Sequence, residues 1–122
     1  MPRTTIAPSA GVGIYPVLPV TADAADLAFA AADVTNKNQI AFGTAANLLL
    51  LCWNTNAAST ARTATITSAL DTLNRSGDIT AYSVGAGEIA YFVIPRNGFR
   101  QSDGYLYLEG SNAEMKFAAI QL

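Results

Sequence analysis

The stretch that decides the fold is NLLLLCW, Asn47 to Trp53, an unbroken apolar run bounded on both sides by turn-forming residues. It is too short for a buried helix and reads as a central strand buried on both faces. Upstream of it, Asn38 to Phe42 reads as a short strand. Downstream, RTATIT (Arg62 to Thr67) alternates, with Ala64 and Ile66 facing one way and Thr63, Thr65 and Thr67 the other. Residues 68–78 form a loop in which one helical turn would join Leu70 to Leu73. Ile79 to Val84 and Glu88 to Ile94 are strands around the turn Gly85-Ala86-Gly87, and Pro95 stops the second. Asn97-Gly98 and Asp103-Gly104 are turn pairs, the second closing a hairpin between Phe99–Gln101 and Tyr105–Glu109. Met115 to Leu122 is a last strand. Short strands with turn signals at close spacing predict an all-β fold, a β-sandwich or jelly roll.

The start of the chain reads differently. Pro2, Pro8, Pro16 and Pro19 fall within residues 1–20, and proline fixes φ and donates no hydrogen bond. This predicts an extended, proline-rich N-terminal arm over residues 1–20 ahead of a single β-sandwich domain over 21–122. The arm's Ile14, Tyr15, Val17, Leu18 and Val20 must lie on something, either their own domain or a neighbour. The alanine-rich residues 21–33 allow a short capped helix, yet Leu27 and Phe29 stand two apart, which suits a strand. A loop leading into a short extended piece is the expectation.

Composition narrows the function. The chain has 122 residues, 51% of them hydrophobic and 13% charged. That charged share is about half the ~25% of an ordinary soluble domain, which suits a subunit that buries surface against partners. Solvation by Thr, Ser and Asn accounts for it equally well. Seven basic and nine acidic residues are scattered, with no basic stripe for a phosphate backbone, so nucleic acid is not an expected partner. The apolar run Leu48 to Trp53 is far below membrane-spanning length. Met-Pro-Arg-Thr-Thr is not followed by a signal-type apolar stretch. A soluble protein made in the cytoplasm, without a membrane partner, is expected.

Chemistry has little to work with. There is no histidine and one cysteine, Cys52, which removes the commonest general base, any Ser-His-Asp arrangement and the usual zinc sets. Cys52 reads as a small buried side chain. Gly11-Val12-Gly13 and Gly85-Ala86-Gly87 read as turns, since neither opens a helix after a strand. Asp23, Asp26 and Asp33 lack calcium-loop spacing. No enzyme activity, cofactor, metal or small-molecule substrate is expected. The tyrosines and Trp53 could line a sugar-binding face, with Tyr105 and Tyr107 opposite Leu106 and Leu108, or could lie at a subunit contact. Arginines such as Arg62, Arg96 and Arg100 are of the type enriched at protein interfaces.

The order of features over residues 36–122 resembles a group of small tailed-phage structural proteins, the capsid decoration or cement proteins encoded near the major capsid gene. The resemblance rests on an Asn-rich entry (Asn36–Thr44), an apolar strand ending in asparagine (LLLLCWNTN, Leu48–Asn56) and the Thr-rich RTATIT. It continues through Gly85-Ala86-Gly87, where many relatives have Pro-Ala-Gly, to the strand ending in Pro95. FRQSDGYLYLEGSNAEMKFAAIQL (Phe99–Leu122) closes it. The first 35 residues match only as a variable lead-in, and no catalytic residue is carried over. The resemblance implies a virion protein on the outer capsid surface, made in the host cytoplasm. It would bridge neighbouring major capsid subunits and be homo-oligomeric, a dimer or trimer at a symmetry axis. The arm residues above, with Tyr91 and Val93 on the over-apolar strand Ile89–Ile94 and Arg96 and Arg100 beyond it, are the expected interface. The competing reading is a carbohydrate- or receptor-binding module on a fibre or spike.

Overall fold

The computed structural model describes residues 2–11 and 26–122, and over these it is all β. Its strands are β1 (Thr4–Ile6), β2 (Ser9–Ala10), β3 (Ala30–Ala31), β4 (Asn38–Ala41), β5 (Asn47–Asn54), β6 (Arg62–Thr67), β7 (Ile79–Val84), β8 (Ile89–Pro95), β9 (Tyr105–Gly110) and β10 (Met115–Gln121). One sheet runs β1-β4-β9-β6-β7, the other β2-β10-β5-β8, with β3 also paired to β10. From β4 onward every connection crosses between the sheets except β6 to β7.

The period-two pattern of the strands builds the core between the sheets. In the first sheet Ile40, Ala64, Ile66, Leu106 and Leu108 point inward; in the second Leu48, Leu50, Cys52, Met115, Phe117 and Ala119 do so, all essentially without solvent exposure. The two turns that matter most for the surface described below flank β8. Gly87, at φ +75°, completes the β7–β8 turn, and its N–H donates to the Asn54 carbonyl at 2.8 Å while the Asn54 N–H donates to Glu88 at 3.0 Å. At the far end the Arg96 N–H donates to the Ala46 carbonyl at 2.9 Å.

Two asparagines are buried outright, Asn38 and Asn54, and both are satisfied, as buried polar groups must be. Asn54 ties the sheets together: its Nδ2 donates to Val84 O at 2.9 Å and Thr60 O at 3.0 Å, and its Oδ1 accepts from the Asn56 N–H at 3.0 Å. Asn38 Oδ1 accepts from the Asp33 N–H at 2.8 Å. Glu114, before β10, holds Arg62 of β6 at 2.7 Å.

Several expectations change on contact with the fold. The β5 run is buried on one face only: Leu48, Leu50, Cys52 and Asn54 are covered, whereas Leu49, Leu51 and Trp53 are partly exposed. Phe99–Gln101 is not a strand; the Arg96 carbonyl instead accepts the Phe99 and Arg100 N–H groups, and Gln101 closes a turn with Gly104. No helical turn joins Leu70 to Leu73; both are exposed, and the loop is organised by Asp71, whose Oδ1 accepts from the Leu73 and Arg75 N–H groups. The described part of the lead-in lies on its own domain. Thr4–Ile6 pairs parallel with β4 and Ser9–Ala10 parallel with the end of β10.

Candidate interaction surface

The two outer faces of the sandwich differ in chemistry, and the difference begins in strand alternation. On the first sheet the outward positions are mostly polar, Ala41 beside Tyr105 being an exception. Gln39, Tyr107 and Thr67 stand in one cross-strand row, and Glu109 stands beside Thr65. These groups engage one another or their surroundings. Lys37 pairs with Glu109 at 2.9 Å, and the Arg3 guanidinium lies 4.2 Å from the centre of the Tyr107 ring. The Tyr107 hydroxyl donates to Asp103, and that bond raises the pKa of the phenol above its ordinary value.

The outer face of the second sheet is apolar across β8 and β5, and on β10 it meets the charged Lys116 and the buried Ala118. On β8 the outward residues are Ile89, Tyr91 and Val93, with exposures of 52%, 72% and 56%. Beside them on β5 stand Trp53, Leu51 and Leu49 in register. The next row, on β10, is Lys116, Ala118 and Ile120. Trp53 is steadied by Phe29, whose ring meets it edge-on with centroids 5.3 Å apart. A sheet whose outward positions are polar needs no partner, whereas one whose outward positions are apolar across neighbouring strands marks a contact surface.

Past the end of β8 the chain turns through Arg96-Asn97-Gly98, and a shallow basin opens, bordered by Asn47, Leu70, Thr72, Arg96 and Arg100. Neither arginine forms an ion pair among the described residues, and both are exposed, so two guanidiniums are presented to solvent around this basin. The geometry suits acidic or carbonyl-rich protein surface, because the guanidinium fork donates in oriented pairs.

The structure therefore brings Tyr91 and Val93 together on one face and sets Arg96 and Arg100 around the basin that opens past the end of β8. Ile14, Tyr15, Val17, Leu18 and Val20 lie outside the described residues. The reading of the run Leu48–Trp53 as doubly buried hid the contributions of Leu49, Leu51 and Trp53. No alternation marks them, since an unbroken apolar run carries no record of which face is covered. Elsewhere the chemistry is quiet. Burial pushes the Cys52 thiol up to about 12, which keeps it protonated at neutral pH and without nucleophilic character. Among the described residues no cluster of His, Cys, Asp and Glu is arranged to hold a metal ion. No protein-family model matches the chain, and no characterised protein or solved structure matches it significantly.

Proposed function

We propose that this protein is a virion structural protein that binds the outer surface of a phage capsid and reinforces it by bridging neighbouring major capsid subunits. The observation that carries the reading is the two-faced sandwich. One outer face is closed by its own polar contacts, and the other presents Ile89, Tyr91 and Val93 beside Leu49, Leu51 and Trp53. Such a face adds binding energy only where the shell is assembled, and by linkage it then stabilises the shell. Contacts that are weak singly gain avidity when an oligomer touches several subunits. Residues 12–20 of the lead-in would add a further contact, with Ile14, Tyr15, Val17, Leu18 and Val20 as its apolar members. Arg96 and Arg100 would orient the contact from the basin past the end of β8. Within the same reading, the orders β4-β9-β6-β7 and β10-β5-β8 with β3 beside β10, with crossings at every step but one, support a jelly roll, an architecture common among capsid proteins. The protein carries out no reaction on this reading and is homo-oligomeric on the shell.

A sugar platform is less well served. It needs flat, accessible rings, and among the described residues the exposed tyrosine besides Tyr91 is Tyr82, whose ring is held edge-on to Phe92 at 5.2 Å. The test is co-sedimentation with capsids of the encoding phage stripped of this protein. Wild type is expected to pellet with them and to raise their melting temperature. Tyr91→Lys with Val93→Lys, both outward and exposed, is expected to remain folded and stay in the supernatant. Unchanged attachment of the double variant would sink the assignment of this face.

A further inference from the structure

The edges of the two sheets are not equally guarded against pairing with another chain. The edge strands β1, β2 and β3 are each no longer than three residues. At the other side of the sandwich β7 is disrupted. Its register with β6 shifts between Ala64 and Ile66, and Ala81 sits at φ 48°, its N–H turned to the Thr65 hydroxyl. A bulge of this kind twists an edge out of pairing geometry. Beside it lies β8, seven residues long, uncharged from Ile89 to Pro95 and in unbroken register with β5. Among the described residues it pairs with β5 alone. A long, regular, apolar edge is a template for strand addition.

The direction of its free groups follows from its bonds. Glu88 O and Arg96 N face β5 and the residue before it. Backbone groups alternate sides along a strand, so those of Ala90, Phe92 and Ile94 also face β5, and those of Ile89, Tyr91, Val93 and Pro95 face the open edge. Pro95, which has no N–H to offer, thus stands where a strand tolerates it.

We propose that two copies of this chain join edge to edge through β8, antiparallel, about a two-fold axis at Phe92. Charge sets both the partner and the register. The uncharged strand is bracketed by Glu88 at its start and Arg96 at its end, both exposed and outside the ion pairs of the described residues. Antiparallel pairing centred on Phe92 puts Glu88 of each copy opposite Arg96 of the other; a shift by one residue pair breaks that match. In the same register Tyr91 of one copy and Val93 of the other exchange both backbone bonds across the axis. Each Ile89 N–H meets the Pro95 carbonyl of the second copy. Phe92 meets its symmetry mate on the inner side, in the non-hydrogen-bonded position where side chains approach most closely. The interface is isologous, the commonest arrangement of soluble homodimers. It joins the two apolar outer faces into one continuous surface.

This inference deepens the oligomeric part of the reading above and is tested without any shell. Sedimentation velocity of the full chain over a wide concentration range is expected to show a monomer–dimer equilibrium. Glu88→Arg alone and Arg96→Glu alone each place like charges together twice per dimer. Each is expected to raise the dimer dissociation constant about tenfold or more, and the double swap to restore it to within about threefold. In wild type, the edge-facing amides of Tyr91 and Val93 are expected to be protected from hydrogen exchange in concentrated solution and unprotected when dilute. A chain that stays monomeric at about 1 mM, an oligomer indifferent to both single swaps, or Tyr91 and Val93 amides that exchange freely in the oligomer would each overturn it. Wild type that dimerises in this way yet fails to attach to capsids would count against the shell reading and leave this one standing.

Discussion

Replacing Asn54 by leucine tests whether the site's framework hangs on one buried amide. The substitution keeps a similar volume in the core and removes every polar atom. It leaves the Val84 and Thr60 carbonyls and the Asn56 N–H without the partners that lie 2.9, 3.0 and 3.0 Å away. The Val84 bond is fully buried, and a buried group stripped of its partner costs about 1–3 kcal/mol. The Thr60 and Asn56 groups are only partly buried, so water recovers some of their loss, and each adds about 0.5–1 kcal/mol. Apolar contact by the leucine offsets a fraction, leaving a destabilisation of about 2–4 kcal/mol. For a chain of this size that is a drop in Tm on the order of 10 °C. Urea unfolding followed by tryptophan fluorescence gives the free energy, with an unchanged m-value as the check on two-state behaviour. Because the Asn54 backbone also holds Gly87 and Glu88, the Gly87 and Glu88 amides should exchange faster in the variant. A leucine variant within about 0.5 kcal/mol of wild type, the scatter expected of a surface change, would refute the argument that this amide ties the sheets.

Two further outcomes follow from the ionisable groups. Cys52, buried and pushed up to about 12, should resist a thiol reagent at pH 7–8 in the folded protein and react fully once urea unfolds it; rapid labelling without urea would contradict its placement in the core. Glu114, held below its ordinary 4.5 first by the hydrogen bond from Asn56 and then by Arg62, stabilises the fold when ionised. Asp33, Asp71 and Asp78 are likewise held below 3.8, chiefly by backbone N–H groups. For groups depressed in the folded state the contribution is present above the unfolded pKa and lost as pH falls through the folded one. The unfolding midpoint should therefore be flat above about pH 5 and fall below about pH 4, and a midpoint that rose on acidification would contradict the sign.

The strands themselves were legible because their signals are local. RTATIT alternates, and both Arg62–Thr67 and Ile79–Val84 are strands in the fold with those limits. What escaped was everything decided at a distance. An apolar run such as Leu48–Trp53 cannot say which of its faces will be covered, so half of the candidate surface was read as core. The Gly85-Ala86-Gly87 turn resembles a hairpin turn in sequence, yet it passes the chain from β7 in one sheet to β8 in the other. Pairings of two or three residues, such as Ser9–Ala10 with Ile120–Gln121, leave no periodic trace at all. The exposure of Tyr91 and Val93 was legible because Ile89–Ile94 is apolar on both faces, and a strand at the surface can cover only one of them.

The position of β10 has a consequence for how the protein is made. It follows every other strand in chain order, yet it sits inside its sheet, bonded along its length to β5 and holding β2 and β3 on its other side. A nascent chain still short of Met115 can pair β4 with β1 and β6 with β7, but β5 must wait with one edge open and Leu48, Leu50 and Cys52 lacking Phe117 and Ala119 across from them. Such long-range pairing is slow, and the exposed apolar strand invites association with other unfinished chains in the interval. Completion of the sandwich thus waits for β10, so that the apolar outer face is presented as a formed surface only once that strand has docked against β5.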